Sequence, residues 1–329
     1  MTNEKRVRNI LLTNDDGIYA PGLVALERAL CRLGRVYVVA PSSEQSGVSH
    51  SITFLTPLTA KNIFVDERHW GWAVDGSPAD CVKLGVAEIM PELPDLIVSG
   101  INGGLNAGIN VLYSGTVAAA IEGAFYGITS FAVSLEYNEN EPFHRAAEIA
   151  VRVIEEVLNK TEQNNQQDKI NNIPNNITSN QTDIQIDKSC KNNQKAIRQN
   201  RTAGELYNLN IPLAALTNPH PEVRLVEMDA AAEWESFEKR TDPMGRPYYW
   251  LTGTKKPQKP EETTEPLTDT TALKQGYVTL APLNFNMTDK IKIKTMKSWE
   301  TEKWNLSEQN NTKQNQNGPS IRTSSKINN

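Results

Sequence analysis

RNILLTNDDGIYAPG, residues 8–22, sets the terms for the rest of the chain. Ile10 to Leu12 is an apolar run long enough for a buried strand, and Asn14-Asp15-Asp16-Gly17 is a string that ends strands and opens turns. Asp15 and Asp16 therefore stand side by side at the carboxyl end of a strand, the edge where open α/β sheets bind ligands. Neighbouring carboxylates repel, and keeping both ionised beside a buried strand is unfavourable unless a cation or several donors compensate. A divalent metal meets that need most simply. Alone, Asp-Asp-Gly is more often a plain turn with Asp16 capping the next helix, so the remaining sequence has to decide.

Pro21-Gly22 leads into GLVALERALCRLG, with Leu23, Leu26, Leu30 and Leu33 on one helical face and Gly34 as its stop. Val36 to Ala40 is a second strand. Strand, helix and strand in close succession form a βαβ unit with parallel strands and a right-handed crossover. The next loop, APSSEQSGVSHS (residues 40–51), thus emerges at the same edge as Asp15, and Ser46 and Gly47 suit backbone amides approaching an anion. Ile52 to Val74 reads as a hairpin excursion. After a turn at Asp75-Gly76, Val82, Val86 and Ile89 mark another helix face.

A third parallel strand, Asp95 to Ser99, opens into INGGLNAGINVLYSGTVAAAIEGAFYG, residues 101–127. Gly103, Gly104 and Gly108 let the backbone come close to a ligand. Ser114-Gly115-Thr116 starts a helix whose apolar face is Val117, Ile121, Ala124 and Phe125. Unpaired amides and the positive dipole end there make a phosphate cradle, although Ser and Thr at such positions more commonly just cap the helix. No Lys follows Gly108 as a P-loop requires, and the glycine spacing is not GxGxxG. Nucleoside triphosphate hydrolysis and dinucleotide binding are both disfavoured.

Ser130 to Leu135 is a fourth strand, and Phe143 to Leu158 a helix with apolar residues at core spacing. Asn and Gln fill 18 of the 42 positions from Asn159 to Asn200, which predicts a disordered insertion over 159–203. Order resumes at GELYNLNIP (residues 204–212), a strand that rejoins the sheet. Val223 to Met228, Arg246 to Leu251 and Gly276 to Ala281 are strand-like pieces of a β-rich extension, and residues 305–329 read as a frayed tail.

Composition narrows the function classes. A net charge of −5, a pI near 5.6 and the absence of a Lys/Arg stripe argue against a nucleic-acid footprint. Cys31, Cys81 and Cys190 are scattered, so neither a disulfide framework nor a thiolate zinc site is indicated. The four histidines, at 50, 69, 144 and 220, lack HExxH spacing. No apolar run reaches membrane-spanning length or precedes the first strand, and a soluble cytoplasmic protein is expected.

The polar signals converge on one sheet edge: Asp15 and Asp16, then Ser46 and Gly47, then Asn102, then Ser114 to Thr116. Carboxylate, amide carbonyl and hydroxyl are hard oxygen donors suited to Mg²⁺ or Mn²⁺. A hard cation beside a phosphate cradle implies phosphoryl chemistry. The segments LLTNDDGIYAPG, VVAPSSEQSGVSHSIT, GSPADCVKLG, SGINGGLNAG and YSGTVAAAIEGAFYG, in that order, resemble the signature segments of the SurE survival-protein family, metal-dependent nucleoside 5′-monophosphate phosphohydrolases. The likeness covers residues 8–158 and resumes from 204 to about 290 through GELYNLNIP, DPMGRPYYW and GYVTLAPL.

The resemblance implies a Rossmann-like, doubly wound, mostly parallel α/β sheet with a β-rich C-terminal extension. It divides the chain into a catalytic core over 1–158, the insertion over 159–203, a last core strand with a β-rich oligomerisation part over 204–304, and the tail over 305–329. By the same resemblance one divalent cation per subunit, Mg²⁺ or Mn²⁺, would be held by Asp15, Asp16, Ser46 and Asn102. Asp15 and Asp16 would be catalytic, and Asn14, Gly47, Ser114, Gly115 and Thr116 would bind the phosphate of a nucleoside monophosphate. Homodimers or homotetramers are implied, with no nucleic-acid or membrane partner. Attack by water and attack by one Asp to form an aspartyl-phosphate both stay open. The Asn/Gln insertion and the tail depart from the family pattern.

Two other classes can be weighed. A phosphorylated signalling receiver needs an acceptor Asp ending the third strand and a later Lys; here that strand ends Ser99-Gly100-Ile101-Asn102 and Leu135 is followed by Glu136. A catalytically silent Mg²⁺-dependent nucleotide-binding protein would use the same cradle.

Overall fold

Alternating burial along the first strand builds the layers of the molecule. In β1 (Arg8–Thr13), Ile10 and Leu12 join Leu23, Leu26 and Leu30 of α1 (Pro21–Leu30) in one apolar cluster. Leu11 instead joins Cys81 and Val82 of α2 (Pro78–Leu84) in another. Successive strand residues point to opposite faces, so helices cover the sheet on both sides, as a doubly wound fold requires. The computed structural model describes residues 7–140, 142–171, 203–231, 234–255 and 267–301.

The remaining strands of the main sheet are β2 (Gly34–Pro41), β3 (Ala60–Val65), β4 (Arg68–Val74), β5 (Leu96–Gly103), β6 (Ser130–Leu135), β7 (Leu206–Ile211), β8 (Val223–Leu225) and β11 (Val278–Pro282); β9 (Trp234–Thr241) and β10 (Pro247–Lys255) form a separate two-stranded ribbon. The nine-stranded order is β3-β4-β2-β1-β5-β6-β7-β11-β8. Strand β1 pairs in parallel with β2 on one side and β5 on the other. The chain runs outward from β1 to β2 and returns on the opposite side, which makes the carboxyl end of β1 the switch-point crevice where such sheets take ligands. Parallel pairing continues through β6 and β7, and among the described residues the antiparallel pairs of this sheet are β3 with β4 and β7 with β11.

Several elements differ from the sequence expectation. The hairpin β3–β4 is part of the sheet, because β4 pairs in parallel with β2. Strand β5 runs past Ser99 and carries Asn102 within its last residues. Two of the three pieces assigned to a β-rich extension, β8 and β11, belong to the main sheet, and β9 was not anticipated. The helix begun at Phe143 does not stop at Leu158: α4 spans Phe143–Asn171. Thus the first part of the segment expected to be disordered over 159–203 is helical, consistent with a packed helix propagating cheaply once nucleated. The rest of that segment, Cys190 and the tail over 305–329 lie outside the described residues.

Two shorter helices, α5 (Leu213–Thr217) and α6 (Asp269–Lys274), flank β7 and β11 in sequence. Residues up to Phe285 form one unit. From Asn286 a second unit begins, and its described part contains α7 (Lys290–Met296), capped by Asp289. Among the described residues no helix is long and apolar enough to cross a membrane, and Cys31 and Cys81 are free thiols.

Candidate active site

The crevice is built around Asp15, which is only 3% exposed. Just before it, the buried Asn14 side chain donates to the Gly17 carbonyl at 2.9 Å and closes the turn. The carboxylate of Asp15 accepts two bonds from one residue 101 positions on: the Thr116 N–H donates at 3.1 Å and the Thr116 hydroxyl donates to the other oxygen. Thr116 is in the first turn of α3 (Gly115–Phe125), so the positive end of that helix sits on the carboxylate. Gly115 makes the approach possible, since a Cβ there would lie 3.0 Å from the Asp15 Cβ and 3.1 Å from its Oδ2.

Burial pushes the Asp15 carboxyl above its ordinary range. The two Thr116 donors pull the other way without cancelling it, and nearby Glu44 adds to the rise. A carboxylate in that position calls for positive charge.

Main-chain bonds lace the loops after β1, β2 and β5 together. The Asp15 carbonyl accepts from Gln45 N–H at 2.7 Å, and Pro41 accepts from Ile18 N–H at 2.8 Å. Ser49 donates its N–H to the Tyr113 carbonyl at 3.1 Å and its hydroxyl to the Leu112 carbonyl at 2.7 Å. Within the middle loop, exposed Ser46 donates to Glu44 Oε1 at 2.7 Å. Gly47 has φ +70°, and no heavy atom lies within 4 Å of the place a Cβ would take, so the chain there is open to an incoming group. Asn102 donates its amide N–H to the Gly104 carbonyl at 2.6 Å, which turns its Oδ1 the other way.

Asp16, Glu44, Gly103, Glu136 and Tyr137 line one cavity of about 370 Å³. It brings the Asp-Asp turn, the Ser46 loop and the residue after Asn102 to a single space in the size class of small-ligand sites. Glu44 and Glu136 were not singled out from sequence; Glu44's place two residues before Ser46 was the available signal.

Ser114 and Thr116 sit differently from the phosphate-binding expectation. Thr116 is fully buried, and its two donors are directed at Asp15; it orients the carboxylate. Ser114 is the helix cap, its Oγ accepting from Val117 N–H at 3.1 Å, which leaves the hydroxyl proton outside the cap bond. Phe125, expected on the apolar core face of α3, is half exposed and stacks on His50 at a centroid distance of 5.5 Å. His50 in turn meets buried Glu122 at 2.9 Å, and Lys83 reaches the other Glu122 oxygen at 3.1 Å. Burial alone would raise the Glu122 carboxyl, but hydrogen bonds and charge from His50 and Lys83 hold it below its ordinary value. This buried acid ties the far end of the Ser46 loop to α2 and α3.

The donor set fits a hard divalent cation. Two adjacent carboxylates, an amide oxygen and a hydroxyl meet the preference of Mg²⁺ or Mn²⁺ for oxygen. Among the described residues Asn14 Oδ1 is buried with no hydrogen-bond partner, a polar atom that a bound group would satisfy. Among the described residues no three His, Cys, Asp or Glu side chains cluster as an alternative metal site.

The chain is similar to known proteins over most of its length. The family profile described as survival protein SurE matches residues 10–235. A 5′-nucleotidase SurE from Rhodopirellula baltica is 49% identical over 291 residues, covering 88% of this chain and 98% of that protein. One from Desulforudis audaxviator is 37% identical, covering 88% and 96%. The crystal structure of the SurE protein from Aquifex aeolicus superposes with a TM-score of 0.64 at 33% identity, over 89% of this chain and 99% of that one.

Proposed function

The chain belongs to the SurE survival-protein family, and from that premise we propose that it hydrolyses nucleoside 5′-monophosphates to nucleoside and inorganic phosphate with the help of a divalent metal. It is a phosphoric monoester hydrolase of the 5′-nucleotidase type, as its relatives are named. The observation that carries the site assignment is the meeting of Asp16, Glu44 and Gly103 around one cavity, with the clasped carboxylate of Asp15 next to Asp16 in the chain.

Asp15, Asp16, Ser46 and Asn102 are the residues that would hold one cation per subunit, Mg²⁺ or Mn²⁺. When bound, the ion supplies Lewis-acid polarisation of a phosphoryl oxygen and offsets developing negative charge. Asp15 is fixed in orientation by Thr116 and serves as an anchored ligand. The Ser114 hydroxyl, the Gly115 N–H and the backbone at Gly47 donate to the other phosphoryl oxygens, with Asn14 bracing the turn below. The Asp16 carboxylate faces the cavity and accepts a proton from an attacking water. As the new bond to phosphorus forms, the bond to the 5′ oxygen breaks, and the proton that Asp16 took from water passes to that oxygen, which leaves as the 5′-hydroxyl of the nucleoside.

Exposed aromatic residues on the β9–β10 ribbon support assembly as a homodimer or homotetramer, and the cytoplasm is the proposed place of work. The test is release of inorganic phosphate from a panel of nucleoside monophosphates with Mg²⁺ or Mn²⁺. Turnover abolished by EDTA and restored by added metal is expected. Nucleotide binding without phosphate release would replace this reading with that of a silent binding protein.

A further inference from the structure

The reading of Asn102 as a metal ligand leaves open what holds it in place. Its amide is oriented by one bond to the Gly104 carbonyl, so its aim depends on the path of residues 104–108, of which 104–107 lie in neither helix nor strand and Gly108 opens a short 3-10 turn. Two buried anchors grip that loop. At Asn106 the Asn210 side chain works as a two-point clasp, with Oδ1 accepting the Asn106 N–H at 2.8 Å and Nδ2 donating to the Asn106 carbonyl at 3.0 Å. Asn208 donates to the same carbonyl at 2.7 Å, and the Asn106 side chain donates to Ser134 Oγ at 2.8 Å. Asn208 and Asn210 are on β7 and Ser134 is on β6, paired directly with Asn210, so the loop is fastened to the rigid sheet.

The second anchor comes from much later in the chain. Asp269, 1% exposed at the start of α6, accepts the Gly108 N–H at 2.9 Å through one oxygen. Its other oxygen accepts from the N–H groups of Asp229 at 2.9 Å and Thr270 at 2.8 Å. Four buried polar side chains on three elements, all bonded to one short loop, are more than the loop needs to turn a corner. Hydrogen-bonded networks of this kind rigidify what they hold, here with Asn208 Oδ1 left without a partner among the described residues, and partners behind a metal ligand tune its affinity.

We propose that Asn210 and Asp269 are positioning residues, which fix the aim of Asn102 at the cation by holding Asn106 and Gly108 of the 104–108 loop. The proposal rests on the ligand reading above, and its test separates the two. Asn210→Asp has no donor for the Asn106 carbonyl and sets an oxygen against it. Asp269→Asn sets an N–H group against backbone donors. The measurement is Mn²⁺ binding by calorimetry on the full chain, for each variant alone and combined with Asn102→Ala, with circular dichroism to confirm folding.

Each single variant is expected to weaken Mn²⁺ binding about tenfold or more. In the Asn102→Ala background, adding either is expected to change the dissociation constant less than about twofold, because the two sites act as one. Wild-type affinity in both anchor variants, or full additivity with Asn102→Ala, would overturn the proposal. Wild-type affinity in Asn102→Ala alone would instead remove the ligand reading, and the proposal with it. If Asn210→Asp does not fold, the Asp269→Asn cycle decides.

Discussion

The carboxyl rim of the parallel strands and the β9–β10 ribbon are made of opposite materials. At the rim polar groups are hidden: Asn14, Asp15, Ser114 and Thr116 are all buried, with Asp15 and Thr116 bonded to each other across 101 positions and Asn14 and Ser114 each closing a local turn. On the ribbon apolar groups are in the open, with Phe237, Tyr249, Trp250 and Leu251 each more than half exposed. Its recorded ion pairs, such as Arg240 with Glu238, are surface pairs of small worth. A hidden carboxylate is costly and persists where it has chemical work. A contiguous exposed apolar surface persists where another surface covers it. The same chain thus departs from the ordinary inside-outside rule twice, in opposite senses.

That contrast can be broken at the rim first. Asp16→Asn is expected to lower phosphate release from a nucleoside monophosphate by about 10³-fold or more, while thermal unfolding and the molar mass measured by light scattering stay as in the wild type. Near-normal turnover with added Mg²⁺ or Mn²⁺ would place the chemistry elsewhere.

The ribbon should respond the other way round. Replacing Phe237 and Trp250 together with Ser is expected to shift the assembly toward smaller species by at least about tenfold in its dissociation constant, with Mn²⁺ affinity unchanged. An oligomer of wild-type size and strength in that variant would show that the exposed aromatics serve no interface.

The smallest effect expected is at Glu122, a hidden acid that binds a cation of the chain itself. Because its carboxyl is held below the ordinary 4.5, its contribution is complete above that value and is lost as the pH falls through the depressed folded value. Glu122→Gln should therefore destabilise the protein by about 1 kcal/mol near neutral pH, and the gap to wild type should close in the acid range. Denaturant titrations at pH 7 and pH 4 measure it; a gap that is constant with pH would mean that charge has no part in the contact.

How much of this was legible in the sequence depended on distance along the chain. The first βαβ unit, the fourth strand Ser130–Leu135 and the start of α3 are marked by local periodicity and turn residues, and they stand where the pattern put them. Strands β8 and β11 were seen as strands but given to the wrong sheet, because a short apolar run does not carry the identity of its partner. Strand β9, WESFEKRT, has too many charges to read as a strand without its mate. At the site, residue types and their sheet edge were readable, whereas their mutual bonds were not. Thr116 looked like a phosphate donor because nothing in YSGTV says that Asp15 lies against it.

The hold of Asp269 on Gly108 also says something about time. A ribosome would have delivered both aspartates, the serine loop and Asn102 long before residue 269 emerges. The early half can form its parallel strands while still tethered, since domains begin to fold as they are made. The loop behind Asn102 must wait for translation to reach α6 before its last fastening exists, so a stalled nascent chain would display the constellation of donors in a looser state than the finished protein.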